Sequence, residues 1–248
     1  MIPKRIHYCW FGGKEKPYDV QHYINTWKNH LYDYEIIEWN ETNFDVSNSP
    51  LYVKEAYENK KWAFVSDYVR LNALFQYGGI YLDTDVEVFK SFDELLNNEV
   101  FVCFESNDSI STAVIGAVPN NKFIKEFMEY YNRIRFVKEN GEFNLQTNVS
   151  LLTKMLLKDG LEPNGAEQTI QSIRVFPQYY FSDNNIINIF GKYSAKNYAY
   201  HHYNASWQNK NHRNGIHKRL RHYLLVTLRN CIGTDSTNKL GKVIKGRK

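Results

Sequence analysis

Asp83 and Asp85 stand one residue apart in the stretch GGIYLDTDVEV, residues 78–88, with Glu87 next in the same alternation. Side chains alternate faces along a strand. Tyr81, Asp83, Asp85 and Glu87 are therefore expected on one face, and Ile80, Leu82, Thr84, Val86 and Val88 on the other. The apolar face calls for a core. The acidic face repels itself unless water, a base or a cation stands before it, and paired carboxylate oxygens suit a hard divalent cation.

Several chemistries use such a pair. The blandest is a solvated strand edge with no ligand. A calcium loop would take Asp83, Asp85, Glu87 and Glu94 as ligands, but Val88 stands where its sharp turn needs glycine. A phosphatase of the haloacid dehalogenase type opens its chain on an apolar strand with DxDx[TV]. Here 82 residues precede Asp83, and no later acidic cluster for magnesium is evident. In a nucleotide-sugar transferase the pair would hold Mn²⁺ or Mg²⁺ against a diphosphate, neutralising the charge that grows on the leaving group.

The elements around the pair alternate. RIHYCWF (5–11) has strand composition, and 18–31 places Val20, Tyr23, Ile24, Trp27 and Leu31 at helical spacing. A strand is expected at 34–39 and a helix at 51–60. The clearest helix is 62–79, with Phe64, Val65, Tyr68, Leu71, Leu74 and Phe75 as its apolar stripe and Gly78-Gly79 as its end. The acidic strand follows. Further strands are expected at 100–105, 112–118, 173–176 and 198–204, and helices at 121–138 and 149–159. This alternation predicts an α/β fold with a mostly parallel central sheet. Ligands of such sheets gather at the carboxyl ends of the strands, where Asp83 and Asp85 lie.

Composition narrows the classes. The 248 residues suffice for one large domain, and aromatics make up 16 %, with 19 Tyr and 5 Trp, which suits stacking on flat rings or sugars. Cys9, Cys103 and Cys231 lie far apart with no CxxC pair, as expected of buried thiols in a reducing compartment. No apolar run reaches the length of a membrane span and the start has no cleavage-site pattern, so the expected location is cytoplasmic. The net charge of +4 is uneven. Residues 213–248 carry ten Lys or Arg against one Asp, and the preceding residues 21 basic against 26 acidic side chains.

Three blocks in order, IPKRIHYCWFGG, WAFVSDYVRLNALFQYGGIYLDTDVEV and YAYHHYNASW, resemble glycosyltransferase family 32, the DxD-containing sugar transferases of bacterial capsules and surface polysaccharides. The middle block is also similar to the glucosyltransferase domains of clostridial toxins and to initiating mannosyltransferases. The resemblance implies a GT-A (Rossmann-like) nucleotide-sugar-binding fold, a retaining reaction and a sugar-nucleotide donor. By it, Asp85 would bind the metal and Asp83 would contact donor hydroxyls or the metal. Asp67 and Arg70 match an S-D-x-x-R motif, and their i, i+3 spacing puts both on one helix face, where a plain ion pair is the simpler alternative. His7, Trp10, Trp62 and Tyr81 would line the donor, although His7 and Trp10 face opposite sides of a regular strand. His201, ahead of His202, would complete the metal shell, and an imidazole ligand favours Mn²⁺ over Mg²⁺. Ser206, on the donor side, and His202 are alternative ligands, and Trp207 would close over the diphosphate when donor binds. Glu105 and Asp108 are conceivable helpers.

Two departures from the family touch the acceptor side: Thr112 stands where Asn is expected, and 146–156 lacks a Gly-Pro. The chain is expected to comprise a GT-A domain at 1–211 and a basic helix and tail at 212–248. The tail would hold the enzyme on the anionic inner face of a membrane near a glycan or lipid-linked acceptor. The competing reading is an inactive carbohydrate- or nucleotide-sugar-binding protein. A nucleic-acid binder fits the acidic body poorly.

Overall fold

A computed structural model describes residues 1–182 and 197–203. In chain order the elements are β1 (Arg5–Cys9), α1 (Tyr18–His30), β2 (Glu35–Trp39), α2 (Leu51–Glu58), α3 (Trp62–Tyr77), β3 (Gly79–Leu82) and β4 (Val86–Val88). They continue as β5 (Val100–Ser106), β6 (Ser109–Ala117), α4 (Lys122–Glu129), α5 (Asn148–Lys158), β7 (Gln168–Ile170), β8 (Ile173–Phe176) and β9 (Ala199–His201).

Seven strands form one sheet in the order β2-β1-β3-β6-β5-β8-β7, while β4 and β9 make a separate antiparallel ribbon. The pairings run β1, β2, β3, β5 and β8 in one direction and only β6 and β7 in the other. This is the α/β, mostly parallel arrangement expected of a GT-A fold. The carboxyl ends of β1, β2, β3, β5 and β8 therefore share one edge, and the ribbon leaves from it.

The sheet separates two cores. Cys9, Phe11 and Tyr81 pack with Val65, Val69 and Leu152 on the side of α2, α3 and α5. Ile6, Tyr8, Ile80 and Leu82 pack with Val20, Ile24 and Trp27 of α1 on the other. Trp27 is fully buried, and its indole N–H donates to the Val86 carbonyl at 2.7 Å, fixing α1 against β4. Burial of a large apolar side chain contributes about 1.5–3 kcal/mol, so this ring is a main anchor of the ribbon.

The turn from α3 into β3 depends on glycine. Gly78 caps the helix, its N–H reaching the Leu74 carbonyl. Gly79 has φ +110°, and a Cβ there would lie 2.7 Å from the Arg5 carbonyl oxygen. A side chain at 79 would push β3 away from β1.

Two elements differ from expectation. The strand foreseen through 78–88 breaks after Leu82. The helix foreseen at 121–138 ends at Glu129 and tightens into a 3₁₀ turn, Tyr130–Arg133. Glu55 of α2 is one physical reason, since its carboxylate accepts the backbone N–H groups of Phe136 (2.9 Å) and Val137 (3.0 Å) and so holds this segment away from helical pairing. Among the described residues no helix is long and apolar enough to cross a membrane.

Candidate functional site

Asp83 is the last residue tied to the sheet at the carboxyl end of β3, its N–H donating to the Ala113 carbonyl at 2.8 Å. The chain then turns, with Val86 N–H bonded to the Asp83 carbonyl at 3.0 Å. Asp83-Thr84-Asp85 is thus a turn rather than an alternating strand. Its carboxylates converge because the backbone reverses beneath them. Beyond the turn, β4 pairs with β9 in the register Val86↔His201, Glu87↔Tyr200, Val88↔Ala199. That register brings His201 to the acidic turn, Nε2 lying 3.1 Å from Asp85 Oδ1.

Asp83, Asp85 and His201 each offer one ligand atom, all within 4.8 Å of one another. Two carboxylate oxygens and one imidazole nitrogen fit a divalent cation that accepts both donor types. Nδ1 of His201 is buried and has no hydrogen-bond partner among the described residues, so this ring holds bonding capacity that those residues do not use. Burial opposes a charge on His201, but Asp85, with Asp83 and Glu105 behind it, outweighs burial and raises its pKa.

Beneath the turn, Arg70 of α3 is almost fully buried. Its guanidinium reaches Asp67 Oδ1 at 3.1 Å and Asp83 Oδ1 at 3.3 Å. It also donates to the carbonyls of Thr112 (2.8 Å) and Ser66 (3.3 Å) and lies 4.4 Å over the Tyr81 ring. The i, i+3 pair is therefore an interior one. Burial pushes the Asp67 carboxyl up to about 6, Arg70 working against that and Asp83 adding to it. Burial opposes the Arg70 charge, but Asp83, Tyr81 and Asp67 hold it firmly protonated.

The remaining candidates divide. Tyr81 is buried, its hydroxyl donating to Asp83 Oδ1 at 2.9 Å, so it fills the space under the site and orients Asp83 instead of packing on a donor. His7 is a core residue with 0 % exposure: Nδ1 accepts from Trp39 Nε1–H (3.1 Å) and Nε2 donates to the Gly78 carbonyl (2.8 Å). With both nitrogens engaged it has none to offer a donor. Trp10 packs on the α1 side, its indole N–H bonded to the Lys14 carbonyl at 2.6 Å. Trp62 lies on the opposite side, so close under the loop after β1 that a Cβ at Gly12 would meet its indole at 2.7 Å. The two tryptophans do not share a wall.

His202 turns away from His201 and bonds Glu87 Oε2 at 2.8 Å. Asp108 accepts from the Ser106 hydroxyl at 2.8 Å in the turn between β5 and β6. Ser206, Trp207 and the segment 212–248 lie outside the described residues.

Sequence reasoning missed two contributors. The Thr112 carbonyl holds Arg70, and Asn148 at the start of α5 donates to the Asp67 carbonyl at 3.2 Å while accepting the Tyr131 hydroxyl at 2.6 Å. A backbone carbonyl leaves no trace in side-chain chemistry. Asn148 carried a signal only in following Thr147, a helix N-cap.

Residues 17–102 match the family described as the glycosyltransferase sugar-binding region containing a DXD motif, and Asp83-Thr84-Asp85 falls within that span. Inositol phosphoceramide mannosyltransferase 3 of Schizosaccharomyces pombe is 29 % identical over 142 residues, 54 % of this chain and 38 % of that protein. The chain thus spans well under half of that relative's length. The uncharacterized glycosyltransferase L373 of Acanthamoeba polyphaga mimivirus is 27 % identical over 201 residues, 76 % of each chain. Among solved structures, the PaToxG glycosyltransferase is similar with TM-score 0.48 and 20 % identity, over 64 % of this chain and 69 % of that one.

Proposed function

We propose that this chain, whose residues 17–102 carry the DXD glycosyltransferase region, transfers a hexose from a nucleotide sugar to a glycan or lipid-linked acceptor with retention of configuration. The observation that carries the reading is the meeting of Asp83, Asp85 and His201 at the carboxyl edge of the sheet. These three would hold the divalent cation, Mn²⁺ by preference because one ligand is an imidazole. When bound, that cation supplies positive charge against the diphosphate as it leaves.

The chain's own residues do the rest. Arg70 spends its hydrogen bonds on Ser66, Thr112, Asp67 and Asp83 and acts through those carboxylates, keeping them aimed, rather than by reaching the phosphate. Asp67 accepts hydrogen bonds from sugar hydroxyls, with Arg70 holding it in place. A front-face reaction needs no covalent nucleophile, since the departing phosphate takes the acceptor proton on the same face. Trp62 is the better placed of the two tryptophans for the base, because it lies on the Asp67 side of the sheet, and Trp10 belongs to the other. A UDP-sugar donor, a role in surface polysaccharide synthesis and attachment of segment 212–248 to the inner membrane face complete the reading.

The test is release of UDP or GDP from a panel of sugar nucleotides with Mn²⁺, Mg²⁺ or EDTA, for wild type and Asp85→Ala. GDP-mannose belongs in the panel because the fission-yeast relative is a mannosyltransferase. Metal-dependent release from one donor, lost in the variant, is the expected result. Metal-dependent donor binding with no release from any donor would instead identify an inactive sugar-nucleotide-binding protein.

A further inference from the structure

A histidine that binds a metal ordinarily has its second ring nitrogen fixed by an outer hydrogen-bond partner, which sets the ring's orientation. Among the described residues His201 has no such partner. Its side chain bonds to Asp85, which belongs to the same candidate cation site, and Nδ1 finds nothing among the described residues. Its ring packs on Tyr203, centroids 4.0 Å apart, and the rest of its aim comes through the backbone of β9, a strand of three residues in which His201 N–H donates to the Phe181 carbonyl at 3.0 Å.

Contacts at the next residue hold that backbone as well. His202 N–H donates to the Asp85 carbonyl at 2.9 Å. The His202 ring bonds Glu87 Oε2 at 2.8 Å across the ribbon and stacks on Tyr23 of α1, ring centroids 4.5 Å apart and 25° from parallel. His202, the residue just after β9, turns to the opposite side from His201. The two adjacent histidines thus take one carboxylate each: His201 takes Asp85 on the site side, and His202 takes Glu87 on the α1 side.

We propose that Glu87, His202 and Tyr23 form a clasp that positions His201 for the cation, so that Glu87 and His202 set metal affinity without touching the metal. This rests on the reading of Asp83, Asp85 and His201 as a cation site. A short ribbon released from α1 lets β9 shift, and the one ligand supplied from far along the chain drifts from the two supplied by the turn.

The experiment is Mn²⁺ binding by calorimetry, with and without UDP, for wild type, Glu87→Ala, His202→Phe, the double variant, Glu87→Gln and Asp85→Ala. His202→Phe keeps a ring to stack on Tyr23 and removes the bond to Glu87. Outer-shell substitutions of this kind cost about 10–100-fold in metal affinity. Glu87→Ala and His202→Phe are each expected to weaken Mn²⁺ binding at least tenfold, with the double variant no worse than the weaker single one. Glu87→Gln, which can still accept from the imidazole, recovers most of the affinity. Thermal unfolding of the metal-free variants separates this from misfolding, because Glu87→Gln and His202→Phe should melt as the wild type does. If Asp85→Ala abolishes binding while Glu87→Ala and His202→Phe bind like wild type, the clasp is overturned and the cation site stands. If the wild type binds no Mn²⁺ in either condition, the cation site falls and the clasp with it.

Discussion

Replacing Arg70 with Met tests whether the interior under the acidic turn is an electrostatic unit. Met fills much of the volume and stays apolar, so the change removes charge more than packing. Five contacts go: Asp67 and Asp83, the carbonyls of Thr112 and Ser66, and the Tyr81 ring. Asp83 keeps the Tyr81 hydroxyl and partial access to solvent, whereas Asp67 is buried. Breaking a buried pair from one side costs about 3–5 kcal/mol because the surviving charge is left uncompensated. A domain of this size has about 5–15 kcal/mol in all, so the variant remains foldable but markedly weaker.

The pH dependence identifies the cause. Asp67 already has its pKa raised from 3.8 to about 6 by burial, with Arg70 lowering it. Removing Arg70 raises it further. A carboxyl whose folded pKa exceeds its unfolded value stabilises the fold most when protonated, and that stability is lost as pH rises from the unfolded value through the folded one. The penalty of Arg70→Met is therefore large at pH 8 and shrinks at pH 5, where Asp67 takes a proton. Urea unfolding of wild type, Arg70→Met, Asp67→Asn and the double variant at both pH values measures this. Asp67→Asn should recover a good part of the loss at pH 8, a coupling of about 0.5–3 kcal/mol. A penalty equal at both pH values and unrelieved by Asp67→Asn would refute the reasoning, leaving Arg70 as mere packing.

Two further predictions concern groups away from the turn. Glu55→Ala should destabilise by about 2–4 kcal/mol, mostly from the two backbone N–H groups it leaves unpaired, whereas Arg135→Ala should cost under about 1 kcal/mol since that arginine is largely exposed. Burial would raise the Glu55 pKa, but Arg135 and the N–H groups of Val137 and Phe136 hold it below 4.5. Its stabilisation is thus present above that value and lost as pH falls through the folded pKa, which unfolding curves between pH 7 and 3 will read. His7 is held below 6.5, chiefly by burial. Trp39 can only donate and the Gly78 carbonyl only accept, so the ring is neutral with its proton on Nε2. Nitrogen-15 NMR of labelled histidine should show that tautomer with no titration at 6.5; a charged ring at pH 6 would contradict it. The stability His7 gives is present above pH 6.5 and lost on acidification.

What the sequence discloses is what lies within one element or across one turn. The stripe of α3, the paired glycines and the acidic residues that follow sit in one run, and Asp67, Arg70 and Asp83 meet as that run suggests. Strand alternation was the wrong warrant for the acidic pair, since Asp83 and Asp85 converge through a turn closed by Val86 N–H. The contacts that decided otherwise come from far along the chain. Glu55 draws off two N–H groups that would have extended α4, and Trp39 and Gly78 consume both nitrogens of His7. Trp10 and Trp62 both read as candidates for stacking on the base, yet each packs against a different core, on opposite sides of the sheet. Long-range register is likewise what chooses His201 over His202, because one residue of slip in β9 would exchange their faces.

The turn divides labour between its two aspartates. Tyr81 and Arg70 both bond the same oxygen of Asp83, Oδ1, so the protein fixes that carboxylate from below and leaves Oδ2 outside these contacts. Asp85 is tied from the other side, by His201 to its side chain and by His202 to its carbonyl. Asp83 is thus the member anchored to the rigid sheet and helix, and Asp85 the member shared with the ribbon. Asp83 and Asp85 would together hold the cation, and so tie the ribbon to the sheet when it is bound. Metal binding should therefore stiffen the ribbon more than the sheet. The protection gained in hydrogen exchange on adding Mn²⁺ should fall on β4 and β9 and spare β1 and β3. Equal protection across all four strands would mean that the ribbon is already as firmly held as the sheet, and that His201 needs no cation to stay in place.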